Sequence, residues 1–454
     1  MDKRRWIRWV GPAALAAGLG LAAASAARAE GPGRFLKLDN GLRVFFYEKR
    51  DIPLVHVVAG FDVGSKDETD GTNGLVHFLE HALLFRSGSA RTGAEMRRHG
   101  AYFNGHTGQD LSMFEISLPS SEAAFALEAL KDLLFGLELR QEEIDREKEI
   151  IREELNQMED DPERRSVDLV LQALFPGHPY GRSVYGRAEV VAAATAEDLR
   201  LFHRKFFVAD NCAMAVVGDF ETAGMERLVR DVFGPLAGTG YSPPRLPPAG
   251  PLKKGSSAQL ERDVIGGYLT IGFAAPDYNS TDLCAMNVLV EALGRGINPL
   301  LGGYLRGQRD SVQYVTMSYL AFRYGGAALV SIKADPRDLP FVERAAQAFL
   351  KRAGSLSYSK KDFADPEAEM AAFDYLEMAR NQIRFAAARV DESGLQLAGG
   401  LVRHMLLNTR DSPGTYLERI GRVDSTDLRR AAGRYFGRSD AVAVSIVPLP
   451  EVKK

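Results

Sequence analysis

Cysteine is scarce in this chain. The two residues, Cys212 and Cys284, stand far apart with no paired spacing, so nothing points to a thiolate metal site. An oxidising compartment would permit a bond between them, but two buried thiols is the simpler reading. A surplus of basic charge is also missing. With 57 Lys and Arg against 60 Asp and Glu, the net charge is −3, which argues against nucleic acid as the main partner. Beyond the N-terminus no apolar run is long enough to span a bilayer. Disorder-type bias is absent too, because 45% hydrophobic and 26% charged residues make an ordinary soluble balance. At 454 residues the chain is long for a single core, and two domains are expected.

The N-terminus has a different character. Lys3, Arg4, Arg5 and Arg8 precede an Ala/Leu/Gly-rich stretch from Pro12 to Ala26, and Ala27-Arg28-Ala29 follows. This is the pattern of a signal peptide over residues 1–29, cleaved before Glu30; the alternative is an uncleaved membrane anchor. No Cys follows the apolar stretch, which argues against a lipoprotein. Cleavage would leave 52 basic against 59 acidic residues, a balance of −7. The expected location is the bacterial periplasm or the exterior.

Along the rest of the chain, strand patterns fall at Leu42–Tyr47, Val55–Val63, Ala101–Thr107, Met113–Leu118 and Ala213–Val217. Helical patterns fall at 73–85, 141–158 and 196–206, with Thr72 or Asn73 placed to cap the first. The segment LAGTGYSPPRLPPAGPLKKGSS is dense in Pro, Gly and Ser and suits a linker. The expected division is residues 30–240, a linker at 241–257, and residues 258–454. The second half repeats the order of the first, with strands at Tyr268–Phe273, Gln313–Leu320, Ala327–Lys333 and Ala441–Val447. Its helices are expected at 281–293, 339–353, 367–389, 394–407 and 425–435, so an internal duplication is expected from element order rather than from residue identity.

One motif carries chemistry. In His77-Phe78-Leu79-Glu80-His81 the histidines are one helical turn apart, so both imidazoles share a face within reach of one ion. Their neighbours Leu75, Val76, Phe78, Leu79, Ala82, Leu83, Leu84 and Phe85 leave no solvated face, and a polar island in such a helix is costly unless it is paired or binds metal. Zinc takes neutral imidazole and carboxylate ligands, keeps one position open in catalytic sites, and lowers the pKa of water there to about 7. Glu80 stands beside that position, where a carboxylate can take a proton. The order H-x-x-E-H is the inverted zincin signature. A third ligand is required, and the acidic helix around Glu147 and Glu154, two residues on one face, is the expected source.

The residues Gly64-Ser65-Lys66-Asp67-Glu68 and Gly74 to His81 resemble the insulinase, pitrilysin and mitochondrial processing peptidase family. The resemblance continues through Phe103-Asn104-Gly105-His106-Thr107, the Glu147–Glu154 helix, Asp160-Asp161-Pro162, His178-Pro179-Tyr180-Gly181 and Val217-Gly218-Asp219. It implies that zinc is held by His77, His81 and Glu154, with Glu147 supporting the site and Glu80 as catalytic base. Glu153 is the rival ligand. It implies that Asn104, in a segment where Gly105 replaces the usual Ala, orients an extended peptide added to a sheet edge. His106 is expected to be a strand residue near the cleft, not a ligand. Arg306 and Tyr314 resemble the pair that grips the substrate backbone, at a spacing one residue longer than usual. Arg309 is closer to Tyr314 but fits that role less well.

The implied fold is α+β, with two related domains, each an antiparallel-rich sheet with helices packed on one face. The implied activity is zinc-dependent hydrolysis of unfolded peptides in a chamber. Two domains only half enclose a chamber, so a homodimer or a heterodimer with an inactive paralogue is expected. The alternative is a non-catalytic peptide-binding or assembly subunit, although such members have usually lost part of the motif.

Overall fold

The computed structural model describes residues 33–85, 94–250, 252, 254–295, 299–362, 374–410, 413–437 and 440–450. The expected signal peptide lies outside them, as do residues 367–373 of one expected helix. That helix is observed over Tyr375–Glu392, where the Asp374 side chain accepts from Glu377 N.

Strands β1 (Gly33–Lys37), β2 (Arg43–Glu48), β3 (Leu54–Phe61), β4 (Tyr102–Thr107), β5 (Ser112–Pro119) and β6 (Cys212–Gly218) form a six-stranded sheet in the order β1-β2-β6-β3-β5-β4. Strands β7 (Ser256–Arg262), β8 (Gly267–Ala275), β9 (Tyr314–Phe322), β10 (Gly325–Ala334) and β11 (Ala441–Pro448) form a second sheet in the order β7-β11-β8-β10-β9. Each sheet has a single parallel pair, β2 with β6 and β7 with β11. With β1 set aside, the two orders superimpose strand for strand, and the parallel pair falls at the same place. The fold is therefore two related antiparallel-rich α+β halves. Residues 237–250 between them have neither helix nor strand, and β7 begins at Ser256, inside the stretch expected to be linker.

The helices do more than cover one face of their own sheet. Helix Gly394–Leu407 from the second half lies on the first sheet, against β3 and β6, while helix Pro162–Leu174 from the first half lies on the second, against β8 and β11. One glycine in each sheet admits the exchanged helix. A Cβ at Gly60 would lie 2.6 Å from Val402 Cγ1, and a Cβ at Gly272 would lie 2.3 Å from Val170 Cγ1. Gly60 pairs with Ala213 and Gly272 with Val442, each the second residue of its neighbouring strand, so the two glycines hold equivalent places. Covered on both sides, β6 is buried at all seven positions, which explains its unbroken apolar sequence.

A buried polar network also ties the halves together. Arg323 reaches Asp62 at 2.7 Å, Tyr180 donates to Asp110 at 2.7 Å, and Tyr324 N donates to the Tyr180 oxygen at 3.1 Å. Charges this deep are tolerated because each is paired. Cys212 and Cys284 are both buried thiols, one in each half, and are not joined to each other. Burial pushes the Cys212 thiol up to about 12, so it is inert. Among the described residues, no helix is long and apolar enough to cross a membrane.

Candidate active site

The motif helix runs from Leu75 to Phe85. Its start is anchored differently from the expected Thr72 or Asn73 cap. Val76 N donates to Glu68 Oε1 at 2.8 Å, so a carboxylate seven residues upstream of the helix satisfies its first turn. Asn73 braces that carboxylate instead of capping, donating from Nδ2 to Glu68 Oε2 (2.8 Å) and to the Ser183 carbonyl (2.9 Å). Burial raises the Glu68 pKa to about 7 against the pull of these donors. Gly74, at φ +112°, meets Gly186 so closely that a Cβ on Gly186 would lie 2.4 Å from Gly74 Cα. Glycine at both positions lets the 183–187 loop seat the helix, with Arg187 N donating to the Asn73 carbonyl at 3.1 Å.

On this helix His77, Glu80 and His81 are all buried. The two imidazole rings stand nearly perpendicular, with centroids 5.0 Å apart. Helix Gln141–Asp160 faces them and buries Glu143, Glu147 and Glu154 within an otherwise charged sequence. One atom from each of His77, His81 and Glu154 lies within 4.8 Å of the others. His81 Nε2 is 3.3 Å and His77 Nε2 3.6 Å from Glu154 Oε2. Two ligand atoms each about 2.0–2.1 Å from a tetrahedral zinc stand roughly 3.3–3.4 Å apart, so the spacing suits an ion better than a direct hydrogen bond. Neither buried oxygen of Glu154 has a hydrogen bond of ordinary geometry among the described residues, an expensive arrangement that a cation resolves. The donor set therefore fits zinc. Glu153 is 62% exposed and pairs with Arg152, so Glu154 is the one of the two acids that joins the histidines.

Glu147 Oε2 lies 3.5 Å from His81 Nδ1, on the far side of the ring from Glu154. A carboxylate there orients a ligating imidazole. Burial pulls the His81 pKa down, but Glu147 and Glu154 outweigh it and lift it to about 10. Burial and the neighbouring His81 hold the His77 pKa below its ordinary value. Burial pushes the Glu154 carboxyl up, yet His81 draws it below the usual range. A cation entering here displaces the His81 proton. Replacing Glu147 with Gln is expected to weaken zinc affinity by about 10- to 100-fold, measured by competition with a chromophoric chelator.

The other expected site residues are more scattered. Asn104 is exposed on β4, the outermost strand of the first sheet. By strand alternation it shares a face with Tyr102 and His106, while Gly105 and Thr107 face the motif helix. His106 is therefore a strand residue turned away from the metal triad. It sits opposite Met113, which touches the exchanged Gly394–Leu407 helix, so this face looks toward the second half. Arg306 is exposed on helix Leu300–Gln308. The Tyr314 hydroxyl is buried against Glu163, in the helix directly after the acidic one, and burial together with that carboxylate raises its pKa. Arg309 is held elsewhere, 3.3 Å from Asp338 and over the Phe341 ring. Two contacts were not foreseen. The Tyr185 ring stands edge-on to His77 with centroids 6.1 Å apart, and Thr107 Oγ1 donates to Glu80 Oε2 at 2.7 Å. Thr107 was visible as part of the Phe103–Thr107 motif, but no sequence pattern announces its bond to Glu80.

Two histidines and a carboxylate closing on one point, with a second carboxylate beside them, make the kind of donor set and neighbouring base that metal-dependent hydrolases use. Comparison with known proteins agrees with that class. Residues 46–188 match the model of the insulinase family, peptidase family M16, and residues 193–365 match that of the peptidase M16 inactive domain. An uncharacterized zinc protease of Mycobacterium leprae is 30% identical over 318 residues, 68% of this chain and 71% of that one. A probable mitochondrial-processing peptidase subunit beta of Arabidopsis thaliana is 24% identical over 92% of this chain and 79% of its own. The structure of a protease from Helicobacter pylori superimposes with a TM-score of 0.82 at 20% identity, covering 92% of this chain and all of that one. A Pseudomonas fluorescens structure described as a peptidase M16 inactive domain gives 0.80 at 17% identity, over 92% and 98% of the two chains. The chain belongs to the insulinase family of zinc peptidases, as its motifs led us to expect.

Proposed function

We propose that this protein is an exported zinc metalloendopeptidase that cleaves unfolded peptides in a chamber completed by a second subunit. The convergence of His77, His81 and Glu154 beside Glu80 carries this reading. These three side chains would hold zinc, which when bound polarises the scissile carbonyl and acidifies the attacking water. The Glu80 carboxylate takes the proton from that water and passes it to the leaving amine nitrogen. Glu147 fixes the His81 ring. An extended peptide adds along the outer edge of β4, where Asn104 is exposed and Tyr102 is 50% exposed, and main-chain bonding there tolerates many sequences. Tyr314 and Arg306 are the proposed grips from the second half.

The second half supports the idea of a partner. Helix Leu283–Gly294 follows β8 as the motif helix follows β3, yet its sequence LCAMNVLVEALG has no histidine. The chain thus pairs a half bearing a metal triad with a half lacking the motif, and a relative named as a subunit makes assembly with another copy or a paralogue the natural expectation. Gel filtration of the active protein tests this; activity confined to a monomer would overturn the chamber.

Hydrolysis of a quenched fluorescent peptide that chelator abolishes and zinc restores is the expected outcome for the enzyme. The match of residues 193–365 to a domain described as inactive keeps one rival, a peptide-binding subunit without activity. That rival predicts zinc uptake with no hydrolysis in the same assay. For export, fractionation of cells producing the full chain should place a shortened form outside the cytoplasm; the full-length chain confined to the cytoplasm would refute it.

A further inference from the structure

We infer that Thr107 is the residue that positions the catalytic base, and that the Gly64–Glu68 segment is the brace that sets its distance. The inference rests on Glu80 acting as the base. A glutamate side chain has among the largest rotamer freedom of any residue, so a base on a helix surface needs something to hold its carboxylate. Thr107 does this. Its hydroxyl donates to Glu80 Oε2 at 2.7 Å and leaves the other oxygen for proton transfer. The strand locates the stem of the side chain as well, since a Cβ on Gly105 would lie 3.1 Å from Glu80 Cγ. Both contacts come from the face of β4 turned toward the motif helix, so the strand proposed to bind peptide is also the strand that orients the base.

This arrangement requires a fixed distance between the end of β4 and the start of the helix, and five consecutive residues provide it. Ser65 N donates to the Gly108 carbonyl at 3.1 Å, and Lys66 N to the Gln109 carbonyl at 3.0 Å, gripping the turn directly after Thr107. Gly64 must be glycine, because a Cβ there would lie 2.4 Å from both of those carbonyl oxygens. Lys66 Nζ adds a bond to the Asp110 carbonyl at 3.0 Å, with its charge neutralised by Asp62 and Asp67. At the other end of the segment, Glu68 accepts from Val76 N, one residue before His77. One short run therefore holds the strand end that carries Thr107 and the helix start that leads to Glu80.

The test compares Thr107→Val, which keeps the shape and the β-branched strand preference but loses the hydroxyl, with Thr107→Ser, which keeps the hydroxyl. Thr107→Val should lower kcat about 10- to 100-fold, as expected for a lost hydrogen bond to a charged group, with KM within about twofold and zinc content unchanged. Thr107→Ser should recover most of the loss. Unchanged kcat, loss of zinc, or no recovery with Ser would each overturn the assignment. A second measurement needs no activity. In a Glu80→Ala, Thr107→Val cycle read by urea unfolding of the metal-free protein, the two effects should be coupled on the order of tenfold in the unfolding constant, and additivity would overturn the contact. If the unaltered protein hydrolyses no peptide, the peptidase reading falls, and the unfolding cycle alone decides whether Thr107 holds Glu80.

Discussion

Replacing Glu80 with Gln is expected to lower kcat by about 100- to 10,000-fold while leaving one zinc per chain. The two parts of that outcome have separate causes. Glu80 is buried on the same helix as His77 and His81, but it does not belong to the group whose atoms converge on one point, so its charge is not needed to hold the ion. Glutamine has the same shape, and its amide oxygen can still accept from Thr107, so the local packing survives. Only the basic oxygen is lost. Metal analysis alongside a steady-state peptide assay separates the cases. Full activity would move the base to another group, and loss of zinc would make Glu80 a ligand. The inert, metal-loaded protein would also retain peptide and partner, so what co-purifies with it would identify both.

Parts of this arrangement were legible in the sequence because they depend on a single period. The relation among His77, Glu80 and His81 is fixed by 3.6 residues per turn, and a helix of apolar neighbours made their burial readable. Central strands such as β6 announced themselves by unbroken apolar runs. Two of the edge strands did not: β1 and β7 are exposed at almost every position, so neither shows the alternation that marks a half-buried strand, whereas the edge strands β4 and β9 were expected from their sequence. The helix cap was misplaced for a related reason. Thr72 and Asn73 have the right residue types, but Glu68 reaches Val76 from outside the local window in which capping rules operate. The exchange of helices between the sheets was beyond reach, since the fit of Val170 against Gly272 is a contact between residues about a hundred positions apart. The choice between Glu153 and Glu154 shows the limit most clearly. Both are acidic neighbours on one helix, and only the docking of that helix decides which is buried and which stays in water.

That distinction gives the second large effect. Glu154→Gln is expected to reduce zinc affinity by more than about 100-fold, beyond the loss expected at Glu147, and Glu153→Gln to leave it unchanged. Removing the charged ligand leaves two neutral imidazoles in a buried site, where an uncompensated cation is costly. Glu147 cannot substitute, because it faces His81 Nδ1 while Glu154 faces Nε2. The effect can be read without any catalytic assay. Zinc that binds only the folded chain raises stability by about 2.7 kcal/mol at a hundred times its dissociation constant. Thermal unfolding with and without zinc should therefore show a shift for the unaltered protein and for Glu153→Gln, and none for Glu154→Gln at the same concentration. A shift that persists in Glu154→Gln and disappears in Glu153→Gln would transfer the third ligand to the neighbouring residue. Because Glu153 is on the outer surface of the helix, that result would also require the acidic helix to turn by about 100° against the motif helix, displacing Ile144, Ile151 and Leu155 from the core they share with Phe78 and Leu79. The identity of the third ligand and the packing of the two helices are thus one question, and the stability measurement answers both.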